Sequence, residues 1–589
     1  MTVPPIHRSP LDDREGEPPL SRVLLALALL APACLFFLAT GGDWLFDFGG
    51  ADNWQYVKYF QAWDSDDAAM RAAMDRDYKG SRVPWILPGY LSHALFGPDW
   101  GTIVLHGAVL LLSAFLLFVV AEPFVGGRVA LLTAMLAASF PGFQASGVAG
   151  FWNYHGSAAN LYFLAGLVFT VRAFAAERKT GFALLAGAGL FSALLTTFIY
   201  AVLGPMLLAF AWTCWRRFGP QPLGRLLLAA CAGAVLATVL FGIARLATGG
   251  TFWFFMSQIR FLMRAASNNV WAEPLSVWLP NAGWLSLPLL TGVASLLFLL
   301  AARRESPSRI GCARLFILQF WLAQLALILC DLLGQNSFQV PYVHYVSTPA
   351  TFLALAAMAA AAFGPALRQV PPALAAALAL LVLVPGQILA VPAFREALTG
   401  LPLYRFVLPC LMGLLVVLAG AWLRRRPAGA FVALAGFLPL AVLAYPAGPY
   451  AAWQRCYPAR AIFPAIVQGS AYISSLGATQ MTGAFWYQPD HAVRWRDGCP
   501  PMTLRQFAFQ LRHAGLVRPL GTLGEIPLQA VRDARPEQLK TFFVVSPAED
   551  AQALATELAP LADSYAALPP ERLQVGSGGS LVIQAYRQR

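Results

Sequence analysis

The feature that most constrains this chain is a recurrence of apolar blocks, each about twenty residues long, set between short gaps that carry Arg, Gly or Pro. A helix of about twenty residues spans a hydrocarbon core of about 30 Å, so blocks of this length are membrane spans rather than core helices of a soluble domain. They fall near residues 22–40, 100–120, 128–148, 157–175, 181–197, 199–215, 223–247, 283–302, 313–333, 342–362, 372–393, 403–422 and 428–446, about thirteen in all. Composition agrees: 58% of the 589 residues are hydrophobic and only 12% charged, with a mean hydropathy of +0.60. That balance excludes a soluble enzyme and points to an α-helical polytopic membrane protein.

The formal charge of +12 invites a nucleic-acid reading, but the Arg clusters flank apolar blocks instead of sharing one polar surface. No nucleic-acid partner is expected. Arg178/Lys179, Arg216/Arg217, Arg303/Arg304 and Arg424/Arg425/Arg426 read as cytoplasmic gaps under the positive-inside rule. Both of the first two clusters face the cytoplasm only if 181–215 crosses twice, and Thr196, Thr197, Gly204 and Pro205 mark the break. The run Val23 to Thr40 is read as the first span rather than a signal peptide. It is long, lacks a small-x-small ending, and follows an acidic tail with Asp12, Asp13, Glu15 and Glu17. Residues 1–21 are then a cytoplasmic tail, 22–446 a membrane domain, and the odd number of spans puts the C-terminus outside.

Beyond Tyr445 the apolar blocks stop and charges of both signs intersperse to Arg589, which marks 447–589 as a separate domain on the outer side. Short β-like runs at Thr541–Ser546 and Ser580–Tyr586, with a helix-like stretch between Pro547 and Leu558, predict a small α/β fold. Six of the eight cysteines lie in or beside apolar blocks and behave as small hydrophobes. Cys456 and Cys499 lie in the polar end region, where a disulfide between them is expected in an oxidising compartment; no spacing suggests a metal.

The spans carry almost no ionisable residue at mid-depth, which argues against an ion-coupled pump. Arg245 and Asp331, toward outer helix ends, suggest a structural ion pair. Charge and aromatic groups gather instead in the first outward gap, 41–99. It holds Asp43-Trp44-Leu45-Phe46-Asp47-Phe48, then Asp52-Asn53-Trp54-Gln55-Tyr56, and later Tyr78-Lys79-Gly80-Ser81-Arg82-Val83-Pro84-Trp85. Two readings stand. A carboxylate above a bilayer can take a proton from an attacking hydroxyl while Lys and Arg stabilise a departing phosphate, which suits sugar transfer from a lipid phosphate. Equally, the acids form a solvated surface and Lys79 and Arg82, beside Trp85 and Tyr90, anchor the chain at the headgroups.

The Asp52-x-x-x-Tyr56 element in a long first loop, an aromatic Pro-containing segment leading into span two, many further spans and an outward C-terminal domain resemble the GT-C superfamily of glycosyltransferases. Within it the chain looks most like family-39-like bacterial relatives of aminoarabinose transferases and protein O-mannosyltransferases. The resemblance implies Asp52 as catalytic base, with Asp47 competing because Asn53 stands where many relatives have a second acid. It implies that Lys79 and Arg82, with Arg260 and Arg264 of the gap 248–282, hold the donor phosphate. Tyr56, Tyr342, His344 and Tyr345 would line the donor head-group cavity.

Under this resemblance the protein is expected to be an inverting transferase that moves a sugar from a polyprenyl-phosphate donor to a glycan, lipid or protein acceptor. The place would be the outer face of a bacterial inner membrane, with no obligatory metal or other cofactor. The rival expectations are a flippase or transporter of a lipid-linked saccharide, and a non-catalytic accessory subunit of envelope assembly.

Overall fold

Gly97-Pro98 sets the geometry of the longest apolar segment. In the computed structural model, Val83–Val125 is helical throughout except at Gly97, whose φ of 75° and ψ of 168° only glycine adopts at low cost. Pro98 then opens the second half, where a missing N–H costs nothing. The break is stapled from both sides: the Ser92 hydroxyl donates to the Gly101 carbonyl at 2.7 Å, and the His93 ring meets the Thr102 hydroxyl at 3.1 Å.

The structure describes residues 51–64, 68–139, 155–175, 179–267, 286–301, 307–335, 346–367, 459–476, 482–487, 492–493, 502–504, 528–533, 539–575 and 579–589. Five described helical stretches are long and apolar enough to cross a membrane: Trp100–Val125, His155–Phe174, Phe198–Arg216, Pro220–Ala247 and Ile310–Leu333. Three shorter apolar helices accompany them, Thr180–Thr196, Thr291–Leu300 and Thr348–Ala362. Of the expected spans, 22–40, 372–393, 403–422 and 428–446 lie outside the described residues, and the described helices alone do not reach a count of about thirteen.

The chain divides into two compact units, one of Met1–Gly41, His106–Ile243 and Ile259–Gly448, the other of Gly42–Leu105, Ala244–Gln258 and Pro449–Arg589. The first unit is a helical bundle. Within it the segment 181–215 does break: Lys179–Thr196 ends at Thr197, which is extended, and a 3-10 turn Phe198–Leu203 leads into the helix Gly204–Phe218. Bundle helices approach through small residues, since a Cβ on Gly187 would strike the Ala230 carbonyl and one on Gly233 the Leu184 carbonyl. Large side chains such as Leu208, Leu228, Val235 and Leu240 point outward and exposed, as on a face that meets lipid.

The second unit contains two different parts. Its N-terminal part begins with helix α1, Ala51–Gln61, and helix α2, Ala68–Arg76, followed by the first turns of helix α3, Val83–Val125. Its C-terminal part is a five-stranded sheet, meeting the expectation of a small end domain. Thr482–Trp486 pairs parallel with Thr541–Pro547, which pairs antiparallel with Gly579–Gln588; Tyr565–Ala567 and Glu571–Val575 both pair with that last strand. Every residue of Thr541–Pro547 is buried, as expected of a strand covered on both faces. The helix Ala551–Leu558 adds Leu554 and Leu558 to a core of Phe485, Leu539, Phe542, Val544 and Tyr565. Phe542 stacks on Tyr586 at 4.8 Å and meets Tyr565 edge-on at 5.1 Å.

Candidate functional site

Asp77 organises the turn between α2 and α3. Its Oδ1 accepts the backbone N–H of Lys79 at 3.0 Å and its Oδ2 accepts the Tyr59 hydroxyl, so one carboxylate joins the turn to α1. Such i to i+2 carboxylate bonds substitute for a backbone turn and fix its direction. The Asp77 carbonyl accepts from Ser81 N at 3.1 Å, and the Ser81 hydroxyl donates to Tyr78 O at 2.7 Å. Gly80 lies so close to the Met74 carbonyl that any side chain there would collide with backbone.

This turn delivers two of the four cations singled out from sequence, Lys79 and Arg82, to the face of α1. The Lys79 ammonium donates to Gln55 Oε1 at 2.8 Å and lies 5.5 Å from the Tyr78 ring centre. The Arg82 guanidinium donates to the Tyr56 hydroxyl and lies over the Tyr56 and Tyr78 rings at 5.9 and 5.2 Å. Trp85 and Phe60 pack edge-on at 5.4 Å beneath them. Lys58, Lys79 and Arg82 are each less than a tenth exposed, at 8%, 7% and 8%. Gathering three cations in so little water raises the worth of any anion that reaches them.

Burial shifts the neighbouring groups. It lowers the Lys58 pKa, against the opposing pull of Asp77. It raises Tyr59 well above the usual phenol range, reinforced by the Asp77 charge and hydrogen bond, so Tyr59 stays a proton donor to that carboxylate.

A second anchor holds α2. Arg245, fully buried, ion-pairs with Asp75 at 2.9 Å and donates to the Arg71 and Trp63 carbonyls at 3.3 and 3.5 Å and to the Thr248 hydroxyl at 3.3 Å. The Thr251 N–H donates to the other Asp75 oxygen at 2.9 Å. Where the sequence suggested Asp331, the carboxylate that Arg245 meets is Asp75, 170 positions away in the chain. The next segment touches the turn as well: the Ser257 hydroxyl donates to the Asp77 carbonyl and the Gln258 amide to the Ser81 carbonyl, both at 3.4 Å.

Asp52 lies in the first turn of α1, three, four and seven positions before Gln55, Tyr56 and Tyr59. Helical spacing puts Gln55, Tyr56 and Tyr59 on one face, the face that holds Lys79, Arg82 and Asp77. Arg260 and Arg264 stand exposed on helix α4, Met256–Ser267, counted after α3 among the helices of this site. Asp47, Tyr342, His344, Tyr345, Cys456 and Cys499 lie outside the described residues. Sequence reasoning missed Asp75, Asp77, Lys58 and Tyr59. The doublet Asp75-Arg76-Asp77 directly before Tyr78-Lys79 was the available signal, since acids that flank a basic turn commonly shape it.

No protein-family model matches the chain, and no curated protein matches it. Solved structures do. ArnT from Cupriavidus metallidurans, bound to undecaprenyl phosphate, is 14% identical, with a TM-score of 0.44 over 96% of this chain and 98% of that one. The same protein in the apo state is 15% identical at a TM-score of 0.44, covering 95% and 97%. The Archaeoglobus fulgidus oligosaccharyltransferase, tethered to an acceptor peptide containing the NVT sequon, is 14% identical at 0.41, covering 95% of this chain and 73% of that one. Both proteins are members of the GT-C superfamily that the first-loop element resembles. At these identities and TM-scores the likeness transfers no residue role to this chain.

Proposed function

We propose that this protein is an inverting glycosyltransferase that takes a sugar from a polyprenyl-phosphate donor to an envelope glycan, lipid or protein. The observation that supports the reading is the packing of Lys79, Arg82 and Asp77 against Gln55, Tyr56 and Tyr59 of α1, the helix whose sequence also carries Asp52 three positions before Gln55. A carboxylate and two buried cations on one polar surface are what this transfer needs. The donor phosphate lies against Lys79 and Arg82, which gain strength from their dry surroundings. Asp52, or Asp47 in its place, takes the proton of the acceptor hydroxyl. That oxygen attacks the anomeric carbon as the bond to phosphate breaks, and polyprenyl phosphate leaves with inversion.

In this reading the N-terminus is cytoplasmic in a bacterial inner membrane, and the first loop and the domain 447–589 are periplasmic. Asp75 and Asp77 hold structure and leave the base to the start of α1.

Asp52→Asn keeps the shape and removes the base, so release of polyprenyl phosphate from labelled donor by the purified protein should fall by about 10²-fold or more. Full turnover in Asp52→Asn with none in Asp47→Asn moves the role to Asp47. Activity in both variants defeats the mechanism, and wild-type protein that moves lipid-linked sugar across a bilayer without releasing polyprenyl phosphate is a transporter. Since side-chain cations neutralise the leaving group, exhaustive chelation should leave turnover intact; rescue by an added divalent ion would contradict that.

A further inference from the structure

Helix α4 carries a surface that the transfer reaction does not use. Met256, Arg260, Met263 and Arg264 recur at i, i+4, i+7 and i+8, one face of a helix, and all four are exposed. Met263 is 68% exposed and Trp253, in the turn just before the helix, 60%. The opposite side is pinned down at Gln258, which is buried and donates to the Ser81 carbonyl, and Ser257 beside it is buried and bonded to the Asp77 carbonyl. The helix follows the span Pro220–Ala247 after a turn of a few residues, so its start is tied to a membrane boundary. A tryptophan, two methionines and two arginines on one open face combine an apolar body with cationic heads. A water-facing helix has no use for the first and a lipid-buried helix cannot tolerate the second.

We infer that this face of α4 lies in the headgroup layer and binds anionic phospholipids of the bilayer, with Arg260 and Arg264 on lipid phosphates and Met256, Met263 and Trp253 among the upper acyl chains. This assigns the two arginines to bulk lipid instead of the donor and stands independently of the proposed transfer.

The test uses the full chain in nanodiscs of equal phosphatidylglycerol and phosphatidylcholine, with no donor present, and a photo-crosslinking residue at Met263. Lipid adducts at that site should favour phosphatidylglycerol by about fivefold or more at low salt, and the preference should fall to parity in Arg260→Gln/Arg264→Gln and at about 1 M salt. An absence of lipid adducts would mean that protein covers this face, and equal adducts of the two lipids in wild type would remove the charge recognition; either overturns the inference. So does a double variant that keeps the phosphatidylglycerol preference but loses donor turnover, which would return the arginines to the donor phosphate. Loss of turnover in Asp52→Asn with adducts unchanged leaves the inference standing, so the two readings fail separately.

Discussion

The two parts of the second unit are held together by opposite means. In the C-terminal sheet, the buried set is Phe485, Phe542, Val544, Leu554, Leu558 and Tyr565, and apolar area removed from water supplies the stability. In the first-loop part the buried set includes Lys58, Lys79 and Arg82, with Asp77 bonded to the Lys79 backbone and Asp75 paired to the buried Arg245 of the segment Ala244–Gln258. Burying ions costs several kcal/mol each before any pairing returns it. A loop that only needed to fold would use the first solution. That it uses the second is the physical reason to look for function there and not in the sheet.

The largest effect that would sharpen this contrast comes from the sheet. Phe542→Ala removes a ring stacked on Tyr586 and edge-on to Tyr565, and should destabilise that domain by about 3–5 kcal/mol, read as a lower unfolding midpoint or earlier proteolysis after Pro449. Phe542→Leu should recover most of the loss, since volume and polarity are what the site requires. Next comes the ionic side. Arg245→Met leaves Asp75 without its cation and the Arg71 and Trp63 carbonyls without a donor, a cost of roughly 2–4 kcal/mol that Arg245→Lys should not repair, because one ammonium cannot reach all of these acceptors. If Met were tolerated at 245, the contrast between the two parts would collapse.

The smallest effect is a titration. Burial pushes the His93 pKa down to about 4, from an ordinary value near 6.5. The unfolded chain therefore binds the proton first as pH falls. Stability that is fully present above about pH 6.5 drains away toward pH 4, by roughly 1 kcal/mol between about pH 7 and about pH 5.5. Thermal midpoints across that range should slope in wild type and flatten in His93→Gln, which keeps a polar group toward Thr102.

What was legible in sequence followed from local rules. The apolar blocks marked the five described helices long enough to cross a membrane, the Thr196/Thr197 and Gly204/Pro205 signals placed a break that the backbone takes at Thr197, and short β-like runs marked Thr541–Ser546 and Ser580–Tyr586. Lys79 and Arg82 were legible as a basic turn among aromatic residues. Their surroundings were not. The bonds of Tyr59 to Asp77, Gln55 to Lys79 and Tyr56 to Arg82 join positions 18 to 26 apart through the chance of how two helices meet, and no periodicity encodes that. The pairing of Arg245 with Asp75 was further out of reach, and Asp331 misled because the sequence pattern reads both it and Arg245 as ends of apolar blocks.

That long-range pair has a consequence for how the protein is made. At ribosomal speeds of about 5–20 residues per second, Arg245 leaves the ribosome about 10–30 s after Asp75, with most of the intervening helices already handed to the insertion machinery. Throughout that interval the carboxylate of Asp75 waits without its cation. The newborn chain is therefore open to proteases and chaperones at this turn until one distant arginine arrives.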